Sequence, residues 1–318
     1  MSPTISLLVG LLLLFFGGEL LVRGSVSLAL KMRISNLVVG MTVVSFATSS
    51  PELFVSLQAV LNGSNDIAFG NVIGSNIANI ALVLGVTAII CRVKISKQTA
   101  ILNYPFLLLT SLILGGVMYY FKAVPQEIGF LFIFLLLAFT WLLISKSRNE
   151  KLKSTNVKTE ILDDTSRDSL FKGLSFLLSG VFLLKFGADY LIEGVISIAN
   201  KFEISERVIA VTLVAIGTSI PELATSIVAA FKKEHDLAVG NLIGSNIFNI
   251  LVVLGVVASI KKITIADSAI LSFDYVWMIV ITFIIGLFIY LFSKRQISRT
   301  EGVLLLLIYM SYIYFSIY

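Results

Sequence analysis

Two eleven-residue stretches lie 170 positions apart and are almost the same. Residues 70–80 read GNVIGSNIANI and residues 240–250 read GNLIGSNIFNI, identical at nine of eleven positions. The match continues upstream without a gap. TVVSFATSSPE at 42–52 faces TLVAIGTSIPE at 212–222, and Glu19 falls opposite Asp189. Varied polar residues repeated at one spacing are not low complexity. The chain carries two copies of one unit, and any fold it adopts must accommodate the duplication.

Composition fixes the medium. Hydrophobic residues make up 57% of the 318 residues and charged residues 14%, with a mean hydropathy of +0.98. Soluble domains carry about 25% charged residues, so this chain is neither a soluble enzyme nor disordered. Its apolar runs are continuous rather than alternating, which argues against a membrane β-barrel. A spanning helix needs about 20 apolar residues. Ten runs qualify: roughly 4–30, 37–61, 67–91, 99–121, 126–145, 170–199, 207–231, 237–260, 268–293 and 302–318. The expectation is an all-α membrane protein with ten transmembrane helices. Segment 146–169 holds 11 charges in 24 residues and separates 1–145 from 170–318, five helices each. Five is odd, so the second copy enters the membrane from the other side. Two inverted-topology five-helix repeats are an architecture of secondary transporters, with the site at the repeat interface near mid-bilayer.

Charge placement gives the orientation. Loops on one side carry 17 Lys and Arg, those on the other 5. The richer side is expected to be cytoplasmic. That places the polar linker inside and both termini outside a cell membrane. Topology, not nucleic acid, then explains the net charge of +5. The first apolar run has no basic segment before it and no cleavage site, so it reads as a first helix. A single cysteine, Cys91, and a single histidine, His235, exclude an internal disulfide, Cys- or His-based metal centres and a Ser-His-Asp triad.

The chemistry lies inside the apolar runs. Pro51 and Pro221 interrupt two of them, at TSSPE and TSIPE. Each lacks an N–H and crowds the carbonyl four residues earlier, at Ala47 and Gly217, so the helices are expected to break there. The freed carbonyls need another helix, water or an ion. Thr48, Ser49, Thr218 and Ser219 add hydroxyls at the same level; Glu52 and Glu222 add carboxylates. A charged side chain at bilayer centre costs about 2.5–3.5 kcal/mol or more. Two of them, without nearby Lys or Arg in sequence, point to a bound cation. Carboxylate, hydroxyl, amide and carbonyl oxygens are hard ligands suited to Na⁺ and Ca²⁺. The competing reading is that the glutamates are protonated, or bonded to asparagines as helix glue.

Gly70 with Gly74, and Gly240 with Gly244, form small faces that let helix backbones approach. Ser75 and Asn79 are four apart and share a helical face, as do Ser245 and Asn249. Asn71, Asn76, Asn241 and Asn246 read as interhelical hydrogen-bond partners rather than ligands. Glu19 with Arg23, Lys185 with Asp189 and Asp189 with Glu193 are spaced for pairing on one face. These charges read as structural, with a role in gating as the alternative.

At these residues the sequence resembles the calcium/cation antiporter superfamily, in its prokaryotic sodium/calcium exchanger branch. The resemblance covers essentially the whole chain and rests on paired G-T-S-x-P-E and G-N-x-x-G-S-N motifs. The first copy departs from it with Ala47 in place of Gly. It implies four clustered cation sites. Glu52 and Glu222 are then the central Ca²⁺ carboxylates, flanked by Thr48, Ser49, Thr218 and Ser219. Ser75 and Ser245 bind Na⁺, the carbonyls of Ser45 and Ala215 match ligand positions, and Asn79 and Asn249 close the centre. Some relatives carry Asp at the position of Asn249, and potassium-dependent ones carry Asp in this region. Asn here implies a site with two carboxylates and no potassium dependence. The first and sixth helices, with Gly17, Gly18, Gly24, Gly187 and Gly194, are implied to slide against the core.

The expected activity is a Na⁺/Ca²⁺ antiport by alternating access, without cofactor or enzymatic step. Ca²⁺, Na⁺ and the bilayer are the expected partners; no nucleic acid or obligate protein partner is expected. A Ca²⁺/H⁺ antiporter using the same carboxylates is the nearest alternative, and a channel is a second. An intramembrane protease needs paired aspartates or a Ser with His, and the sequence offers only Asp189 as an intramembrane Asp.

Overall fold

The computed structural model describes residues 3–32, 34–155, 170–201, 217–292 and 295–317. Its helices are α1 (Pro3–Met32), α2 (Asn36–Thr48), α3 (Ser50–Leu61), α4 (Asn65–Ile90), α5 (Thr99–Phe121) and α6 (Gln126–Thr155), followed by α7 (Leu170–Lys201), α8 (Ile220–Phe231), α9 (His235–Ile260), α10 (Ile270–Phe292) and α11 (Arg299–Ile317). Among the described residues, six helices are long and apolar enough to cross a membrane, seven if the bent pair α2–α3 is one span. Phe15, Phe54, Phe130, Trp141, Phe182 and Tyr314 are more than half exposed, the surface a lipid-facing protein presents. The chain is an all-helical, multi-pass membrane protein.

Helix α6 continues into the charged segment as far as Thr155. The Lys and Glu residues there are good helix formers, so polarity ends the membrane run but not the helix. The start of the expected span 207–231, with Ala215, lies outside the described residues, as does most of the linker.

The two halves interlock through contacts that exchange under the repeat. Short strands β1 (Val93–Lys94) and β4 (Gln296–Ile297) pair antiparallel, Val93 opposite Ile297. Strands β2 (Ala123–Val124) and β3 (Ile263–Thr264) pair with Val124 opposite Ile263. Val93 and Ile263 are repeat equivalents, so the second pairing is the first with the halves swapped. The helices behave likewise. Tyr104 Oη donates to the Thr282 carbonyl at 2.9 Å, and Tyr275 Oη to the Ser111 carbonyl at 3.1 Å.

Glycines set one contact in particular. A Cβ on Gly17 would sit 2.8 Å from Leu184 N, and one on Gly187 would sit 2.8 Å from Leu14 N. One on Gly24 or Gly180 would be 2.7 Å from Leu177 N or 2.6 Å from Leu21 N. Helices α1 and α7 are therefore packed backbone to backbone along a shared small-residue face. Gly17, Gly24 and Gly187 hold these two helices to each other. Gly18 is the residue turned to the core, against Ala224 and Val228 of α8.

Candidate cation-binding site

The helix break falls at Ser49, two residues before the proline. Ser49 has φ −91° and ψ 8°, and Ser219 has φ −90° and ψ 1°. Both lie in the sparsely allowed bridge region common at functional sites. Helices α2 and α3 meet there at a bend of 45°. Pro51 and Pro221 occupy the first turns of α3 and α8, where no N–H is required of them. That geometry places Glu52 and Glu222 in the same first turns. A carboxylate there faces the positive end of the helix dipole. The sequence motif announced the break but not this electrostatic consequence.

Both glutamates are fully buried, 0% exposed. Glu222 Oε1 accepts from Ser49 Oγ at 3.0 Å, across the halves, and lies 3.4 Å from Ser245 Oγ. Thr218 and Ser75 are the hydroxyl residues beside Glu52, and their own oxygens are 3.3 Å apart. Thr48 Oγ1 donates to Asn241 Oδ1 at 3.2 Å. A hydroxyl whose hydrogen is so committed still offers its lone pairs to a cation. Ser219 Oγ is buried without a hydrogen-bond partner.

Asparagines fill the centre. Asn79 Nδ2 donates to Asn246 Oδ1 and Asn249 Nδ2 to Asn76 Oδ1, both at 3.1 Å. Asn71 Nδ2 reaches the Glu52 carbonyl at 3.1 Å and Ser56 Oγ at 2.9 Å. Asn71, Asn76, Asn241 and Asn246 thus bond between helices. Ser56 is a partner the sequence reading had missed. Asn79 and Asn249 each sit in a π-helical turn, Ala78–Val83 and Asn249–Val253. Such bulges cluster at functional sites, and nothing in the local sequence signalled them.

Ser45 is held firmly in place. Its Oγ lies within bonding distance of the Gly40 and Asn241 carbonyls, and its own carbonyl accepts the Ser49 N–H at 2.9 Å. One carbonyl lone pair remains for a ligand. Ala215 is outside the described residues. Gly240 and Gly244 press against α2 at Leu37 and Met41. The stretch equivalent to that part of α2, 207–214, is outside the described residues, so the matching neighbour of Gly70 and Gly74 is not described.

The charge balance is distinctive. Among the described residues no Lys or Arg pairs with Glu52 or Glu222. Among the described residues, both oxygens of Glu52, Oε2 of Glu222 and the Oδ1 atoms of Asn79 and Asn249 are buried without a hydrogen-bond donor. All five are acceptors. Isolated buried carboxylates cost several kcal/mol each unless something positive compensates them. Buried acceptor oxygens of this kind are what a hard cation needs.

A cavity of about 500 Å³ reaches this site. Its lining includes Thr48, Thr218 and Pro221, Phe54 and Val55 of α3, and Leu184, Lys185 and Asp189 of α7. On the opposite flank, Glu19 Oε1 accepts from Arg23 Nε at 2.6 Å and from Lys232 Nζ at 2.7 Å. The Arg23 pair matches the spacing; Lys232 was not foreseen. Asp274 is a further aspartate within an apolar helix, half-buried in α10 and bonded by Tyr312 Oη at 3.0 Å. Asp274 lies in the first turns of that apolar helix, close to its end. The tyrosine partner, not a second aspartate, accounts for its tolerance there.

Comparison with known proteins shows the family. A family model described as "Sodium/calcium exchanger protein" matches residues 2–145 and 172–318. The chain belongs to the sodium/calcium exchanger family. It is 36% identical over 316 residues to the "Putative antiporter CaxA" of Alkalimonas amylolytica, covering 98% of this chain and 97% of that protein. It is 29% identical to the "Sodium/calcium exchanger MaX1" of Methanosarcina acetivorans, covering 96% of each. A structure of the sodium-calcium exchanger NCX_Mj, soaked with 2.5 mM Na⁺ and 0.1 mM Ca²⁺, superposes with a TM-score of 0.81 at 28% identity, covering 98% of both chains. The family is one of transporters rather than enzymes; Na⁺ and Ca²⁺ are its substrates, and it uses no cofactor.

Proposed function

We propose that the chain is a secondary antiporter exchanging Na⁺ for Ca²⁺ by alternating access. Its ten spans form two inverted five-helix repeats, with the linker cytoplasmic and both termini outside. The observation that carries the ion assignment is the set of five buried acceptor oxygens around Glu52 and Glu222. The repeat with swapped strand pairings supports the inverted halves, and the Lys and Arg asymmetry supports the orientation.

In this reading Glu52 and Glu222 neutralise one Ca²⁺ between them. Asn79 and Asn249 add neutral oxygen dipoles, and the hydroxyls of Thr48, Ser49, Ser75, Thr218, Ser219 and Ser245 complete shells for Na⁺. The carbonyls of Ser45 and Ala215 serve the outer positions. Three Na⁺ at two carboxylates leave one positive charge. A 3:1 exchange is then electrogenic, worth about 2.3 kcal/mol per 100 mV. The cavity along α7 is the access route of one state.

The test is ⁴⁵Ca²⁺ uptake into proteoliposomes loaded with Na⁺ and diluted into Na⁺-free buffer. Uptake driven by the Na⁺ gradient, lost in Glu52→Gln, and accelerated by an inside-positive potential if external Ca²⁺ is exchanged for more internal charge leaving, is expected of this antiporter. Uptake driven only by a pH gradient would move it to proton coupling with the same carboxylates. No flux under either gradient would sink the substrate assignment.

A further inference from the structure

We infer that Asn76 and Asn246 are positioning residues that hold the amides of Asn79 and Asn249 with their oxygens turned to the transported cation. This rests on the reading of Asn79 and Asn249 as ligands and explains why they can serve as such.

The two ends of a carboxamide have nearly the same shape but opposite hydrogen-bonding character. Packing alone cannot decide which end faces a site; the hydrogen-bond network must. Here the network has a fixed reference. Asn76 Nδ2 lies 3.4 Å from the Asn246 carbonyl, and Asn246 Nδ2 lies 3.2 Å from the Asn76 carbonyl. A backbone carbonyl only accepts, so each of these amides must present its nitrogen to it. That leaves Asn76 Oδ1 and Asn246 Oδ1 facing the second pair. These oxygens accept from Asn249 Nδ2 and Asn79 Nδ2. The Oδ1 atoms of Asn79 and Asn249 are then left over, buried and without a donor.

All four asparagines are 0–1% exposed, so bulk water offers no substitute partner. Turning the Asn249 amide over would set its Oδ1 against Asn76 Oδ1, acceptor against acceptor. It would also aim an NH₂ group at the cation. The orientation therefore passes from backbone carbonyl to Asn76 and Asn246, then to Asn79 and Asn249, and finally to the ion.

The decisive experiment is a double-mutant cycle on the Ca²⁺ KM of Na⁺-driven uptake, with wild type, Asn249→Ala, Asn76→Leu and the double variant. Each single variant is expected to raise KM about tenfold, and the double variant no more than the larger single effect, because contacting residues couple. A KM unchanged in Asn249→Ala overturns the ligand reading and the inference with it. A normal KM in Asn76→Leu, or the same tenfold increase in the Asn249→Ala background as in wild type, overturns the positioning role alone, since general damage to packing would be additive. If Asn76→Leu fails to fold, the mirror cycle of Asn246→Leu with Asn79→Ala is read by the same criteria.

Discussion

The two flanks of the α1–α7 pair are built from repeated sequence yet differ in structure. On one flank α1 lies against α8, with Gly18 on Ala224 and Val228 and Glu19 bonded to Lys232. On the other, a cavity of about 500 Å³ stands between α7 and α3, with Thr48 and Thr218 in its lining. The repeat is inexact at these flanks: Gly18, Glu19, Ala224, Val228 and Lys232 fall opposite Ala188, Asp189, Phe54, Gln58 and Asn62. Under the proposed topology the closed flank is cytoplasmic and the open one external. In that reading the two flanks are the shut and the open side of one access path. Because α1 and α7 are joined along their glycine face, they would have to move together for the two sides to trade places.

The carboxylates are the strictest test of that equivalence. Each sits in the first turn of a broken helix, so Glu52→Gln and Glu222→Gln should be equally damaging. Removing one member of a buried charged set costs about 3–5 kcal/mol, and ⁴⁵Ca²⁺ exchange should fall by at least about 100-fold in both. A large difference between them would mean that the halves do not share the ion.

Accessibility should separate the flanks next. In a Cys91→Ala background, Val55→Cys faces the cavity while Val228→Cys lies under Gly18. A buried thiol reacts only through local opening. Externally added methanethiosulfonate should therefore modify Val55→Cys about tenfold faster or more, a gap of at least roughly 1.4 kcal/mol. Equal rates would remove the distinction between open and closed sides.

The smallest effect concerns the ion pair. Lys232→Ala should loosen the closed flank and change the apparent Ca²⁺ KM roughly two- to fivefold, since partly exposed pairs contribute up to about 1 kcal/mol. The repeat equivalent of Lys232 is Asn62. Asn62→Lys would give Asp189 a potential partner and should shift modification of Val55→Cys the other way, to slower rates. No change in either variant would reduce the Glu19–Lys232 bond to surface decoration.

Much of this was legible in the sequence because it depends on residue type and spacing. The apolar runs gave the membrane helices, the prolines gave the breaks, and the two glutamates marked the site. What escaped depends on distant chain segments. Lys232 reaches Glu19 across 213 positions, which no local spacing can announce. The π-helical turns at Asn79 and Asn249 lie in sequence that reads as ordinary helix. The partner of Gly17 and Gly187 was not legible for the same reason, since a small face in sequence does not name what it packs on.

The crosswise strands also set a timetable. Val93 pairs with Ile297, 204 residues later in the chain. At a synthesis rate of about 5–20 residues per second, roughly 10–40 s separate the appearance of the two partners. For more than half of that interval the first half stands with Glu52 in place and without Thr218, and the Asn76–Asn246 bonds wait longer still, until residue 246 is made. Biogenesis therefore includes a period when a half-built protein must be sheltered, and its length is set by the ribosome rather than by the fold.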